Sequence, residues 1–225
     1  MSSGVELALL AWGTLVGVDL VSVPQTMIAR PLVAGTVAGL IAGDPLSGLA
    51  LGVLFELFQY DILPVGAVRY PEYGPATVAA VSAAQFVGGA PGLGIGAFVG
   101  LVTAMVGGAS LHALRRMNAR AIHAADGRLE TGDVGLLIRL HAAGIARDAA
   151  RAALVTAFGL ALAWVSRHVL ARGLTLDAAA APAAAAAAAA LAAAASGSLR
   201  TVGTGASLRW FAAGALGGTL AVWLG

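Results

Sequence analysis

The chain has 225 residues, of which 59% are hydrophobic and 11% charged, with a formal charge of +2 and a mean hydropathy of +0.88. Average soluble domains sit near 45–50% apolar and about 25% charged, so this composition excludes an ordinary water-soluble fold and leaves no room for a separate soluble domain. A charge this small argues against a nucleic-acid partner, and the lack of any cysteine excludes disulfides, thiolate nucleophiles and cysteine metal sites.

A membrane-spanning helix needs about 20 mostly apolar residues. In chain order the sequence predicts hydrophobic segments at Val5–Pro24, Pro31–Phe58, Ala76–Gly88, Gly92–Leu111, Ala153–Leu170, Leu176–Ala195 and Ala206–Leu224. The first lacks a basic leader, carries Glu6 and is followed by no clear small-residue cleavage site, so it reads as a retained helix rather than a signal. Pro31–Phe58 is too long for one span, and Gly43-Asp44-Pro45 predicts a broken or re-entrant pair, with Asp44 satisfying freed backbone N–H groups at the turn. The fold class expected is an all-α membrane protein, a polytopic bundle of about six to seven hydrophobic segments with at least one broken. It reads as a single membrane domain: an N-terminal membrane part (1–111), a polar segment (112–151) and C-terminal membrane helices (152–225).

Glycines recur four apart at Gly35/Gly39/Gly43, Gly48/Gly52 and Gly88/Gly92/Gly96/Gly100, which predicts grooves for close helix packing. Seven of the thirteen arginines fall between Arg115 and Arg151, and the positive-inside rule assigns that segment to the cytoplasm. Asp126-Gly127 and Thr131-Gly132-Asp133 read as turns, with Asp133 placed to cap a following helix. Arg139, Arg147 and Arg151 then share one helix face opposite Leu137 and Leu140, a pattern that fits a helix lying on the membrane surface and equally a solvated connector. The stretch 178–195 is nearly all alanine, which forms helix readily but is only weakly apolar, and carries no chemistry.

Nucleotide-binding, metalloprotease and serine-hydrolase motifs are absent, and His112, His123, His141 and His168 show no metal-ligand spacing. The informative polar residues lie earlier. All three tyrosines, Tyr60, Tyr70 and Tyr73, fall within fourteen residues, beside Glu56, Gln59, Asp61, Arg69 and Glu72. Polar groups at membrane depth are costly unless paired or facing water, and they mark functional sites. Carboxylates, an amide and an arginine suit sugar hydroxyls, and an aromatic ring suits the sugar's C–H face. These eight residues are the candidate substrate-binding set, and no catalytic or metal residue is assigned. Glu56, deep in an apolar run, is either a substrate contact or a protonated core acid; Asp19 either pairs with Arg30 or lines a path.

The ordered run Arg30-Pro31-Leu32-Val33-Ala34-Gly35, Gly39, Gly43-Asp44, Gly48, Gly52, Glu56 and Val65-Gly66-Ala67 resembles the membrane subunit IIC of the mannose/fructose/sorbose class of bacterial phosphotransferase (PTS) sugar transporters. His141 and Arg151 keep that family's spacing of ten. The resemblance implies a sugar-translocating permease in the bacterial inner membrane that crosses it several times and binds a hexose-type sugar. It implies pairing with a IID membrane subunit, trimers of such pairs and an elevator-like movement. Soluble IIA and IIB subunits would carry the phosphoryl group, so that IIC itself is neither an enzyme nor dependent on a cofactor. Glu56 matches the family's acid after the glycine run, and Glu72 an acid that follows a proline, here Pro71. The chain departs from the family in Gln59, Asp61 and Pro64 and in the aromatic, charged stretch Val68–Tyr73, which places sugar specificity there. Two alternatives stand beside this reading: an ion-coupled sugar transporter using Glu56 and Asp61 as proton carriers, and a non-transporting scaffold or regulatory remnant of a reduced phosphotransferase system.

Overall fold

The computed structural model describes residues 2–60, 62, 70–170, 185–187, 189 and 190. Its described elements are helices, α1 (Ser3–Asp19), α2 (Pro31–Ala42), α3 (Pro45–Gln59), α4 (Tyr73–Ala84), α5 (Gly89–His123), the single turn α6 (Asp126–Leu129) and α7 (Val134–Leu170). Residues 185–187, 189 and 190 are helical; the rest of Leu176–Ala195 and all of Ala206–Leu224 lie outside the described residues.

The long run Pro31–Phe58 is broken where the sequence predicts. Gly43 adopts a left-handed backbone (φ 83°) after α2, the Asp44 N–H bonds to the Gly39 carbonyl at 2.9 Å, and Asp44 caps α3 by accepting the Ser47 N–H at 3.0 Å. Pro45 opens α3, where its missing N–H costs nothing. The two helices, about 18 and 22 Å long at 1.5 Å per residue, are each too short to cross a hydrocarbon core of about 30 Å. They fold back on each other through glycine. A Cβ at Gly48 would lie 2.6 Å from Gly39 Cα and 2.5 Å from the Gly35 carbonyl oxygen, so the backbones touch.

Helix α4 is the centre of the bundle: all twelve of its residues are buried, and α1, α2, α3, α5 and α7 pack around it. Its small side chains (Gly74, Ala76, Ala79, Ala80, Ala83) allow that many neighbours. Leu9, Val16, Leu51, Phe55 and Val81 fill the core between them.

Helices α5 and α7 are each long and apolar enough to cross a membrane. They pack antiparallel, with Asn118 beside Arg147 at one end and Thr103 beside Gly159 further along. At 35 and 37 residues they run about 52 and 55 Å, well beyond the hydrocarbon thickness. The arginine-rich segment is therefore the outer half of one helical hairpin closed by α6, continuous with the helix that contains Ala153–Leu170. The arginine face is divided, since Arg139 is exposed whereas Arg151 is buried. Asp133 caps α7 as expected, accepting the Leu136 N–H at 2.9 Å.

Candidate functional site

Two polar clusters form inside this frame. The first lies where α3 passes the start of α2. A Cβ at Gly52 would sit 3.0 Å from the Pro31 carbonyl oxygen, so α3 runs hard against the first turn of α2 there. One helical turn on, on the same face, Glu56 reaches that end. One carboxylate oxygen pairs with the Arg30 guanidinium, and the other accepts the Leu32 N–H at 3.2 Å. A carboxylate at a helix N-terminus is favoured by unsatisfied N–H groups and by the helix dipole. Glu56 is thus a paired acid, its side chain 18% exposed and that of Arg30 47%.

Beside this pair lies a cavity of about 250 Å³ lined by Asp19, Gln25, Arg30, Gln59, Tyr60 and Ile62 among others. One wall is the loop between α1 and α2. Helix α1 ends at Asp19, five residues before the predicted Pro24, because Asp19 turns back to hold that loop. Its Oδ1 accepts the Thr26 N–H (2.6 Å) and hydroxyl (3.1 Å), and its Oδ2 accepts the Ala29 N–H (3.1 Å). Arg30 goes to Glu56 instead of Asp19. On either side of Thr26, Gln25 (φ 59°) and Met27 (φ 67°) adopt left-handed backbones, which cost non-glycine residues of order 1–2 kcal/mol each.

The second cluster is sealed inside. Arg151 makes a bidentate pair with Glu72 (2.5 and 3.0 Å), bonds Asp148 through Nε (2.9 Å), and also reaches the Gly17 carbonyl (3.2 Å) and the Ser110 hydroxyl (3.4 Å). These contacts engage all five guanidinium N–H groups. Asp148 accepts the Ser22 hydroxyl at 2.5 Å, and the Glu72 N–H bonds the Ala104 carbonyl at 2.9 Å. Glu72 and Asp148 are 0% and 1% exposed. Room for Glu72 comes from Gly107, where a Cβ would lie 2.7 Å from Oε2.

The predicted set therefore divides. Glu56, Gln59 and Tyr60 gather at the first cluster, with Tyr60 exposed. Glu72 belongs to the second. Tyr73 stacks on Phe55 (5.8 Å) and Phe58 (6.1 Å) in the core, and the Tyr70 hydroxyl accepts a bond from Arg115 at 2.8 Å. Gln59 links the two regions, lining a small void with Tyr70 and Tyr73. Asp61 and Arg69 lie outside the described residues. The sequence reading missed Gln25, Asp148 and the pairing of Arg151. Asp148 and Arg151, three apart ahead of a long apolar run, were the available signal of a buried pair.

Glycine-paired half-helices, a buried short helix and ion pairs held within apolar helices define an α-helical integral membrane protein. The family described as the PTS system sorbose-specific IIC component matches residues 5–215. The chain belongs to that family. It is 28% identical over 145 residues to the sorbose-specific EIIC component of Lacticaseibacillus casei, covering 64% of this chain and 51% of that protein. It is 31% identical over 125 residues to the corresponding component of Klebsiella pneumoniae, covering 56% and 46%. The chain thus spans about half the length of the curated relatives it matches. Its fold is similar to a chain in the structure of the mannose transporter ManYZ with microcin E492 (TM-score 0.57, 17% identity, 97% of this chain and 87% of that one).

Proposed function

We propose that the chain is a multi-pass sugar-translocating subunit of a bacterial inner membrane. It binds a hexose-type sugar at the cavity beside Glu56 and passes it inward for phosphorylation by a IIB partner. The observation that carries this reading is the Glu56–Arg30 pair at the start of α2, partly exposed and next to a cavity with amide and phenol side chains. A charged pair with free acceptor and donor capacity bonds sugar hydroxyls, and Tyr60 covers a ring face. Gln59 adds an amide, and Asp61 and Arg69 complete the polar set. Glu72, Tyr70 and Tyr73 act behind it, holding α4 and α5 in place around the site.

In this reading the arginine-rich hairpin faces the cytoplasm. A IID subunit packs against the apolar outer faces of the bundle, and such pairs assemble into trimers. The phosphoryl group travels on IIA and IIB rather than on this chain. Replacing Glu56 by Gln weakens sugar binding while the protein still inserts in the membrane. Unchanged affinity and uptake in Glu56→Gln would sink the assignment. Sugar phosphate as the first intracellular product separates it from ion-coupled transport, which delivers free sugar.

A further inference from the structure

We propose that Gln25 is a specificity-determining contact for an uncharged monosaccharide, and that Asp19 is the residue that positions it. The inference rests on the sugar-binding reading of the Glu56 cavity. Three observations converge on the loop between α1 and α2. First, Gln25 and Met27 hold left-handed backbones on either side of Thr26, at φ 59° and 67°. Non-glycine residues stay in such conformations only where the surroundings over-determine them, and these cluster at ligand sites. Second, the surroundings here are one carboxylate. Asp19 is 2% exposed, and its partners are the Thr26 N–H, the Thr26 hydroxyl and the Ala29 N–H, all in this loop. A buried acid used wholly to fix one loop indicates that the loop's shape matters beyond the loop.

Third, that shape places Gln25 on the wall of the cavity shared with Arg30, Gln59 and Tyr60. Among the described residues, neither the Gln25 nor the Gln59 side-chain amide has a hydrogen-bond partner. Each offers two donors and an acceptor without charge, which suits hydroxyls of fixed orientation. The cavity, about 250 Å³, lies below the ~300–1,000 Å³ typical for drug-sized ligands and suits a single sugar ring. The Arg30–Glu56 pair supplies affinity for hydroxyls in general. A neutral amide carried on a fixed backbone discriminates between sugars, because a site built to bond a hydroxyl rejects an analogue that places it elsewhere.

The test is equilibrium binding of D-mannose, D-fructose and L-sorbose to the full chain in native membrane vesicles, with thermal unfolding of the same samples. Gln25→Gly accepts the left-handed backbone and removes the side chain with its amide. It is expected to lower affinity for the best-bound sugar about three- to tenfold and to flatten the preference among the three, with an unchanged or higher melting temperature. Gln25→Asn, which also tolerates that backbone, keeps part of the preference. Asp19→Asn removes one of the two acceptor oxygens and loses preference together with thermal stability. Wild-type affinities and ranking in Gln25→Gly overturn this inference alone, provided that Glu56→Gln loses binding. Failure of the unaltered chain to bind any of the three sugars overturns the transport reading and this inference with it.

Discussion

The two ionic clusters use the same residue types and differ in what surrounds them. At the first, Arg30 meets Glu56 at the end of a half-helix, with both side chains partly exposed. At the second, Arg151 is enclosed by Glu72, Asp148, Ser110 and the Gly17 carbonyl, with every N–H directed at a protein acceptor. A pair with unused bonding capacity and solvent access can exchange partners for a ligand. A saturated buried one cannot do so without opening the bundle. The bonds left unmade, rather than charge alone, separate the cluster proposed to bind sugar from the one that holds the bundle together.

The largest effect expected from breaking this contrast is at Arg151. Arg151→Met leaves two buried carboxylates without their shared cation, and removing one partner from a buried pair costs about 3–5 kcal/mol. Loss of folded protein from the membrane, followed by thermal unfolding, measures it. Adding Glu72→Gln and Asp148→Asn removes the uncompensated charge and restores most of the stability. If the single substitution is harmless, Arg151 is not the hub of the second cluster.

Next is the glycine contact that lets the first cluster form. A Cβ at Gly48 meets backbone atoms of Gly39 and Gly35, which cannot move aside as side-chain ends do. Gly48→Ala forces α2 and α3 apart, a strain of about 1–3 kcal/mol, and draws Glu56 away from the Leu32 N–H. Stability and sugar affinity fall together. Glu56→Gln reverses that balance. The pair is partly exposed, so its loss costs well under about 1 kcal/mol of stability. Sugar affinity falls about tenfold or more, since hydrogen bonds to charged groups are worth about 1.5–3 kcal/mol. A mutant that melts far below the parent protein would move Glu56 into the structural class of Glu72.

How far the sequence disclosed this contrast depends on the range of the interactions. The hairpin was legible because its causes are local: Gly43 for the left-handed turn, Asp44 for the cap and Pro45 for the first turn of α3. The glycine spacing announced its close packing, and Glu56 stood out as an acid in an apolar run. The tyrosine cluster did not survive folding as a cluster. Tyr60, Tyr70 and Tyr73 straddle the passage from α3 to α4, and they part to the surface, to Arg115 and to the Phe55–Phe58 stack. Glu72 could not be told from Glu56 because its partner lies 79 residues away. Gln25 was hidden by hydropathy, which carried the first helix on to Pro24. The carboxylate of Asp19 ends that helix sooner by binding the loop beyond it.

The smallest effect lies outside both clusters, at the tip of the arginine-rich hairpin. Asp133 accepts the Leu136 N–H and pairs with Arg128 at 2.6 Å, and these contacts hold its carboxyl below the usual carboxylate range. A depressed folded value means that the stabilisation is fully present above the unfolded value of about 3.9 and is lost as pH falls through the folded one. The hairpin tip should therefore behave alike at pH 7 and pH 5 and loosen only in stronger acid. Asp133→Asn retains the cap but loses the ion pair, so it raises amide exchange around Val134–Leu137 slightly and removes most of that acid dependence. Sugar binding is unaffected, because neither Asp133 nor Arg128 lines the cavity beside Glu56. An altered sugar affinity in Asp133→Asn would show that the hairpin and the cavity are coupled, and the separation of ligand-binding from structural ionic groups would have to be redrawn.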